Sequence, residues 1–236
     1  MGVENRLMGV NVAVAASAGV SWRAPAAGRH WERFGPNPYL AGSGTALSIK
    51  GLQDEGVIAC VKHWLANEQE RYRLVIENFL SGTTPPITHS LSSQVGDRAL
   101  RELYKWPFVD AIQAGAGSVM CAYQRVNGTY SCESTALIRE RLKGESELTG
   151  GLGFRGFVVT DWLAAAGPLP AARAGVDMVM PGDAGLVGLA ASALPASDGA
   201  GLKGQSKLDE MAIRVLVAWY KSGQNKPEYP EPNFST

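Results

Sequence analysis

Short apolar runs rich in β-branched residues alternate with longer amphipathic segments along most of this chain. These runs predict strands at residues 9–14, 57–61, 118–122, 156–160 and 177–180. The segments between them place apolar side chains at helical spacing, which predicts helices. Such alternation is typical of βα units built around a parallel sheet. We therefore predict an α/β fold.

Local signals predict where the helices begin and end. Four helices are bounded in this way: at 38–55, after Asp97 as N-cap, at 135–143 behind Ser134, and behind a capping box of Ser206 and Asp209. Pro107 is expected to kink or divide the second of them. Residues 183–205 are rich in Gly, Ala and Ser without clear periodicity, and they predict a loop.

The length limits how complete a barrel the chain can form. A (β/α)8 barrel typically needs about 250 residues, and this chain has 236. About five strands are predicted where a closed barrel has eight. We therefore expect a partial or compact (β/α)8 TIM-barrel-like domain at residues 1–223, followed by a Pro-rich tail or linker at 224–236.

Charge and hydropathy exclude two classes of partner. The 22 Lys and Arg residues balance 22 Asp and Glu residues, so the chain lacks the basic surface that binds nucleic acid. No run approaches the roughly 18 consecutive apolar residues of a membrane span. The start of the chain also lacks the pattern of a secretory signal.

The cysteines bear on metal binding and on the redox compartment. Cys60, Cys121 and Cys132 lack the close pairing of a zinc site, and we predict no metal. Cys121 and Cys132 could form a disulfide in an exported protein, but buried free thiols are the favoured interpretation. Asn127 and Asn233 begin N-glycosylation sequences, which matter only in the secretory path.

Polar side chains follow three of the predicted strands. Lys62 and His63 come after the strand that ends at residue 61, Tyr123 after the next, and Asp161 with Trp162 after the third. Each alone is more often a solvated or helix-capping residue. Together they meet at one rim, because the carboxyl ends of parallel strands converge. A cation, an imidazole, a phenol, a carboxylate and an indole suit a polyhydroxylated substrate.

Several motifs carry a family resemblance. They are GRHWERF at 28–34 with PNPYL at 36–40, VIACVKHWLANEQE at 57–70, GFRGFVVTDW at 153–162 and GVDMVMPGD at 175–183, with shorter matches at 103–108, at 118–123 and near the end of the chain. In this order they resemble glycoside hydrolase family 3, in particular fungal β-glucosidases. His30 stands where that family usually has Asn.

The resemblance implies a function and a set of site residues. It implies a retaining hydrolase of terminal β-D-glucosyl residues in β-glucosides or cello-oligosaccharides, without cofactor, in which Asp161 is the nucleophile. It also implies that Arg29, Lys62, His63 and Tyr123 bind the sugar and that Trp162 forms a wall of the site. Fungal members are mostly secreted, which the resemblance extends to this chain. Trp64 and the residues after it differ from the branch that cuts N-acetylglucosaminides.

The same resemblance predicts what this chain lacks. We expect neither the preceding segment that supplies a sugar-binding Asp nor the C-terminal α/β sandwich domain that supplies the acid/base Glu. Glu32, Glu68 and Glu70 are the candidate replacements, although the last two belong to a motif with a structural role. The acid/base residue is therefore not identified. The alternative is an inactive fragment or a sugar-binding remnant, and a partner chain could also complete the site.

Overall fold

A parallel sheet of four strands forms the centre of the structure. The computed structural model describes residues 1–21, 23, 25–75, 82, 87–145, 150–182 and 207–232. The sheet contains β1 (Val12–Ala13), β2 (Ile58–Trp64), β4 (Ser118–Cys121) and β7 (Phe157–Thr160), in the order β1-β2-β4-β7. Side chains of β4 and β7 are buried throughout, as expected for a parallel sheet covered on both faces. The predicted α/β class is confirmed.

Helices surround this sheet. They are α1 (Gly2–Leu7), α2 (Pro38–Gln53), α3 (Asp97–Ala99), α4 (Trp106–Gln113), α5 (Pro168–Ala174) and α6 (Lys207–Lys221), with 3-10 helices at Arg29–Glu32 and Ser131–Glu133 and π-helices at Leu100–Tyr104 and Ala136–Lys143. Helices α2 and α4 pack closely at Gly42, where an added Cβ would clash with the carboxylate of Asp110. A side chain at position 42 would therefore force the Asp110 side chain to move.

The helix predicted after Asp97 differs at its start. Gly96 occupies the N-cap position, and the prediction that Asp97 caps the helix is wrong. The Asp97 carboxylate instead accepts hydrogen bonds from Arg101 Nε at 2.8 Å and Arg141 Nη2 at 3.0 Å. The predicted division at Pro107 is confirmed, because α4 begins one residue before it.

Three predicted strands differ clearly in extent. The strand predicted at 9–14 is reduced to the two residues of β1, Val12–Ala13. Strand β2 continues past Val61 to Trp64, so Lys62 and His63 lie within it rather than after it. The extension is held by neighbours distant in sequence, since Ser17 bridges to Lys62 and Cys121 pairs with Trp64. The strand predicted at 177–180 is reduced to one bridge between Val159 and Met178.

The loop after β4 returns to the sheet through a disulfide. A second sheet contains β3 (Ser92–Ser93), β5 (Arg125–Val126) and β6 (Thr129–Tyr130). The hairpin between β5 and β6 returns the chain so that Cys132 bonds to Cys121, with their Cα atoms 5.2 Å apart. The preference for two free thiols is therefore wrong, whereas Cys60 is a buried free thiol.

Asn127 has a structural role in this hairpin. Its Oδ1 accepts from Val95 N at 2.8 Å and its Nδ2 donates to Val95 O at 2.9 Å. The amide of the first N-glycosylation sequence is thus engaged in the folded chain. Asn233, Ser206 and the loop predicted at 183–205 lie outside the described residues.

The C-terminal helix joins the rest through buried polar contacts. Arg214 of α6 donates to Phe154 O and Gly156 O, at the start of the segment that leads into β7. After the helix, Gln224 Nε2 donates to Asn11 O at 2.8 Å and to Gly56 O at 2.9 Å. The first residue of the predicted tail therefore packs against the residues before β1 and β2. Across the described part of the chain, every helix is too short or too polar to cross a bilayer.

Candidate active site

The carboxyl ends of β2, β4 and β7 are joined by backbone hydrogen bonds. Ala122 N donates to Trp64 O at 2.7 Å, and Asp161 N donates to Cys121 O at 3.2 Å. These bonds bring the polar residues that end each strand to one edge of the sheet. The predicted convergence is therefore present.

Asp161 faces His63 across this edge. Asp161 Oδ2 lies 3.2 Å from His63 Nε2, and Asp161 Oδ1 accepts a 2.7 Å hydrogen bond from the backbone N of Trp162. The hydroxyl of Tyr123 also hydrogen-bonds to the Asp161 carboxylate. The carboxylate is thus held in place from β2 and β4 while it is attached to the end of β7.

Burial and hydrogen bonding act in opposite directions on this pair. Burial would raise the pKa of Asp161, but the contacts from His63, Trp162 N and Tyr123 outweigh it and lower the pKa. Burial lowers the pKa of His63 despite the nearby carboxylate. At neutral pH we therefore expect an ionised Asp161 beside a neutral His63 imidazole.

A three-residue ion cluster stands beside the pair. Glu32 Oε2 accepts from Arg29 Nη2 at 2.9 Å and lies 2.9 Å from Lys62 Nζ, while Glu32 Oε1 accepts a short hydrogen bond from Arg29 Nε. Burial would raise the pKa of Glu32, but the hydrogen bonds and charges of both cations lower it to about 2. Glu32 is therefore an anion at neutral pH and cannot serve as a proton donor.

The cluster reaches the sheet through an extended segment near the N-terminus. Ser17 forms bridges with both Arg33 and Lys62. Ala18 N donates to Lys62 O at 2.9 Å, and Lys62 N donates to Ala16 O at 3.2 Å. The 3-10 helix Arg29–Glu32, which ends just before Arg33, is thereby held next to the end of β2.

The other two candidate carboxyl groups have structural partners. Glu68 accepts hydrogen bonds from the Tyr104 hydroxyl at 2.8 Å and from Arg23 N at 2.7 Å. Glu70 forms an ion pair with Arg73 Nη1 at 2.8 Å. Both carboxylates therefore order the loop after β2, in agreement with the structural role expected for that motif.

The structure brings together the residues predicted for the site. Lys62 and His63 lie in β2, Tyr123 and Asp161 follow β4 and β7, and Arg29 joins them through Glu32. Trp162 adjoins Asp161 and is 54% exposed, so its indole is accessible. Within the described ranges, no three side chains of metal-binding type are grouped as a metal site.

Two contributions were not predicted from the sequence. The sequence suggests Glu32 only as a candidate acid, although its position three residues after Arg29 in a helical turn is a signal for an ion pair. Arg73 stacks on Tyr123, with its guanidinium carbon 4.6 Å from the ring centre. No spacing rule links Arg73 to Tyr123, because one lies in a loop and the other follows a different strand.

Comparisons with known proteins identify relatives of this chain. A model of the glycosyl hydrolase family 3 N terminal domain matches residues 1–217. A probable beta-glucosidase of Arthroderma benhamiae is 43% identical over 234 residues, covering 98% of this chain and 27% of that protein. The solved beta-D-glucoside glucohydrolase of Trichoderma reesei has a TM-score of 0.80 and 36% identity, covering 100% of this chain and 30% of that one.

A second solved structure has a similar fold over nearly the whole of this chain. The glycoside hydrolase family 3 beta-glucosidase of Neurospora crassa has a TM-score of 0.83 and 39% identity, covering 99% of this chain and 27% of that one. The chain thus spans less than a third of the length of these relatives. The predicted TIM-barrel-like α/β fold is confirmed. Because the family model matches most of its length, the chain belongs to glycosyl hydrolase family 3.

Proposed function

We propose that this chain carries the nucleophile and the glucosyl-binding residues of a retaining β-glucosidase. The observation that carries the proposal is Asp161, a buried carboxylate whose pKa is nonetheless lowered by contacts from His63, Trp162 N and Tyr123. A nucleophilic carboxylate must be ionised and held in one orientation, and these contacts provide both conditions. The relatives named as beta-glucosidases support the same reaction class.

Each residue has a defined part in the proposed reaction. Asp161 attacks the anomeric carbon, the glycosidic C–O bond breaks, and its electron pair leaves with the aglycone oxygen. Water then hydrolyses the glycosyl ester on Asp161, so the anomeric configuration is retained. Arg29 and Lys62 donate hydrogen bonds to sugar hydroxyls, and the exposed indole of Trp162 stacks on an apolar face of the sugar.

The leaving oxygen needs a proton that the three candidate carboxyl groups do not supply. Glu32 is held ionised by two cations, Glu68 accepts from Tyr104 and Arg23, and Glu70 pairs with Arg73. We therefore place the acid/base residue elsewhere than in these three. Substrates whose leaving group departs as a stable anion do not need it, and such substrates isolate the role of Asp161.

A sugar-binding protein without turnover is the second candidate function. The observation that favours it is the pKa of Glu32 near 2, because the second carboxyl group of the site is then an anion rather than an acid. In this case Arg29, Lys62, His63 and Tyr123 would bind glucosyl rings without hydrolysing them. The same pocket serves both candidates.

Substrate, compartment and domain extent complete the proposal. We assign β-linked glucosides or cello-oligosaccharides as ligands, and a barrel domain at residues 1–223 with a tail or linker after it. The Cys121–Cys132 disulfide supports an exported protein, since disulfides persist in oxidising compartments.

The test is mass spectrometry of the folded chain after incubation with 2-deoxy-2-fluoro-β-D-glucosyl fluoride. We expect a fluoroglucosyl adduct on the peptide that contains Asp161, and none in Asp161→Asn. Asp54→Asn is the matched control, because Asp54 is an exposed aspartate just after α2. A folded chain that forms no adduct would contradict the glycosidase proposal. Binding of cellobiose, followed by NMR, would then support the sugar-binding protein.

A further inference from the structure

The carboxylate of Glu32 lies between Arg29 and Lys62, two of the residues proposed to bind the glucosyl ring. Its side chain is 13% exposed, as is that of Lys62. It is therefore shielded from bulk water on most sides while part of its surface is open. A partly open, charged group in contact with Arg29 and Lys62 is in a position to contact a sugar bound by those two cations.

The hydrogen-bond valence of Glu32 leaves room for a ligand. A carboxylate offers about four acceptor positions. Arg29 Nε and Nη2 and Lys62 Nζ account for three of them, two on Oε2 and one on Oε1. The remaining position, on Oε1, can accept one hydroxyl group.

The charge balance gives Glu32 a second effect. Arg29 and Lys62 are two cations that would repel each other if they faced one hydroxylated ligand without an anion between them. Glu32 is ionised, with a pKa near 2, so it attracts both cations and fixes their positions. The two-pronged contact with Arg29 also fixes the orientation of the guanidinium plane.

Donor and acceptor are thereby placed side by side. Lys62 Nζ lies 2.9 Å from Glu32 Oε2, so an ammonium that donates adjoins a carboxylate that accepts. Each sugar hydroxyl both donates and accepts, and neighbouring hydroxyls on a pyranose ring can therefore engage the two groups together.

We propose that Glu32 is a further sugar-binding residue, which accepts a hydrogen bond from one ring hydroxyl while it positions Arg29 and Lys62 to bind the neighbouring one. This inference rests on the proposed function in that it takes the same pocket to hold a glucosyl ring. It differs from a purely structural ion pair, because a structural pair would affect all sugars equally.

The test measures whether Glu32 recognises one particular hydroxyl. Dissociation constants of methyl β-D-glucopyranoside and its 3-deoxy, 4-deoxy and 6-deoxy analogues are measured by protein NMR for the unsubstituted chain and for Glu32→Gln. Removal of one hydroxyl should weaken binding by about 10- to 100-fold in the unsubstituted chain, as for a hydrogen bond to a charged group. In Glu32→Gln the same removal should weaken binding by less than about 3-fold.

Controls separate recognition from folding. Glu102→Gln is the matched variant, since Glu102 also pairs with an arginine, Arg98, but on an exposed helical surface. It should keep the full hydroxyl discrimination. If Glu32→Gln does not fold, Glu32→Asp retains the charge and retracts it by one methylene, and the penalty for the same hydroxyl should fall at least about 3-fold.

The outcomes also separate this inference from the proposed reaction. If removal of each hydroxyl weakens binding by the same factor in Glu32→Gln and in the unsubstituted chain, the role of Glu32 is overturned. This holds even if the fluoroglucosyl adduct forms on Asp161. If removal of one particular hydroxyl weakens binding in the unsubstituted chain but not in Glu32→Gln, the role of Glu32 is supported, even if no adduct forms. A folded, unsubstituted chain that binds none of the glucosides would overturn it as well.

Discussion

The guanidinium of Arg73 lies over the ring of Tyr123, with its central carbon 4.6 Å from the ring centre. Arg73 also forms an ion pair with Glu70 at 2.8 Å, so the guanidinium contacts both a carboxylate and an aromatic ring. A cation over an aromatic face contributes about 0.5–2 kcal/mol. Because the Tyr123 hydroxyl bonds to Asp161, Arg73 positions a group that contacts the proposed nucleophile.

Replacement of Arg73 should therefore slow the reaction of Asp161. We expect Arg73→Met to reduce the rate of fluoroglucosyl adduct formation by about 3- to 30-fold, and Arg73→Lys to restore part of the loss. Stopped time points analysed by mass spectrometry give the rate. Arg71→Met is the matched control, since Arg71 lies 4.8 Å from the ring of Tyr72, its own neighbour in the loop. Equal effects of both substitutions would refute the positioning role.

Breaking the buried ion pair between Lys143 and Asp177 should lower the free energy of unfolding by a large amount. Both side chains are completely buried, with Lys143 Nζ 2.7 Å from Asp177 Oδ2, and Asp177 also accepts from Val158 N. Removal of one partner leaves a buried charge, so Asp177→Asn should lower the free energy of unfolding by about 3–5 kcal/mol. Urea denaturation measures it. Glu102→Gln, at the exposed Arg98–Glu102 pair, should change it by less than about 1 kcal/mol.

Acid should destabilise the chain through Glu210. Burial would raise the pKa of Glu210, but Lys207 and Arg214 outweigh it and lower the pKa to about 2, from 4.5 for an ordinary glutamate. The unfolded chain then binds more protons than the folded one between these values. The stabilisation by Glu210 is complete above about pH 4.5 and is lost as the pH falls through about 2.

The measurement is the free energy of unfolding against pH. We expect it to fall from pH 5 to pH 2 in the unsubstituted chain and to fall less steeply in Glu210→Gln. Identical slopes in the two proteins would show that Glu210 does not titrate with a lowered pKa.

Reduction of the Cys121–Cys132 disulfide should lower the free energy of unfolding. Cys121 and Cys132 close a loop with a sequence separation of 11, for which chain entropy predicts about 3 kcal/mol of stabilisation. Unfolding in urea with and without a thiol-free reductant measures this difference. Cys60→Ala should respond to the reductant like the unsubstituted chain, because Cys60 is a free thiol. No response in either protein would show that the bond contributes nothing.

Local sequence was sufficient for the main elements of this fold. The apolar runs around residues 118–122 and 156–160 become β4 and β7, because buried parallel strands need continuous apolar side chains. The division of a helix near Pro107 also follows from one residue, since proline lacks the backbone N–H that a helix interior requires. The placement of Lys62, His63, Tyr123 and Asp161 at one edge follows from the parallel arrangement itself.

Contacts between residues distant in sequence were decided only by the tertiary structure. Strand β2 continues to Trp64 because Ser17 and Cys121 pair with it, and neither partner can be identified from the β2 sequence. Asp97 meets Arg141 instead of capping its own helix, because an ion pair with a packed neighbour competes with a local hydrogen bond.

The chemistry of the site divides in the same way. The amino-acid sequence alone indicated which ionisable groups stand at or near the carboxyl ends of the strands. Which of them are charged depends on burial and on partners from other elements: Arg29 and Lys62 keep Glu32 ionised, and burial keeps His63 neutral beside Asp161. A pKa reflects the whole surroundings of a group, and those surroundings exist only after the chain has folded.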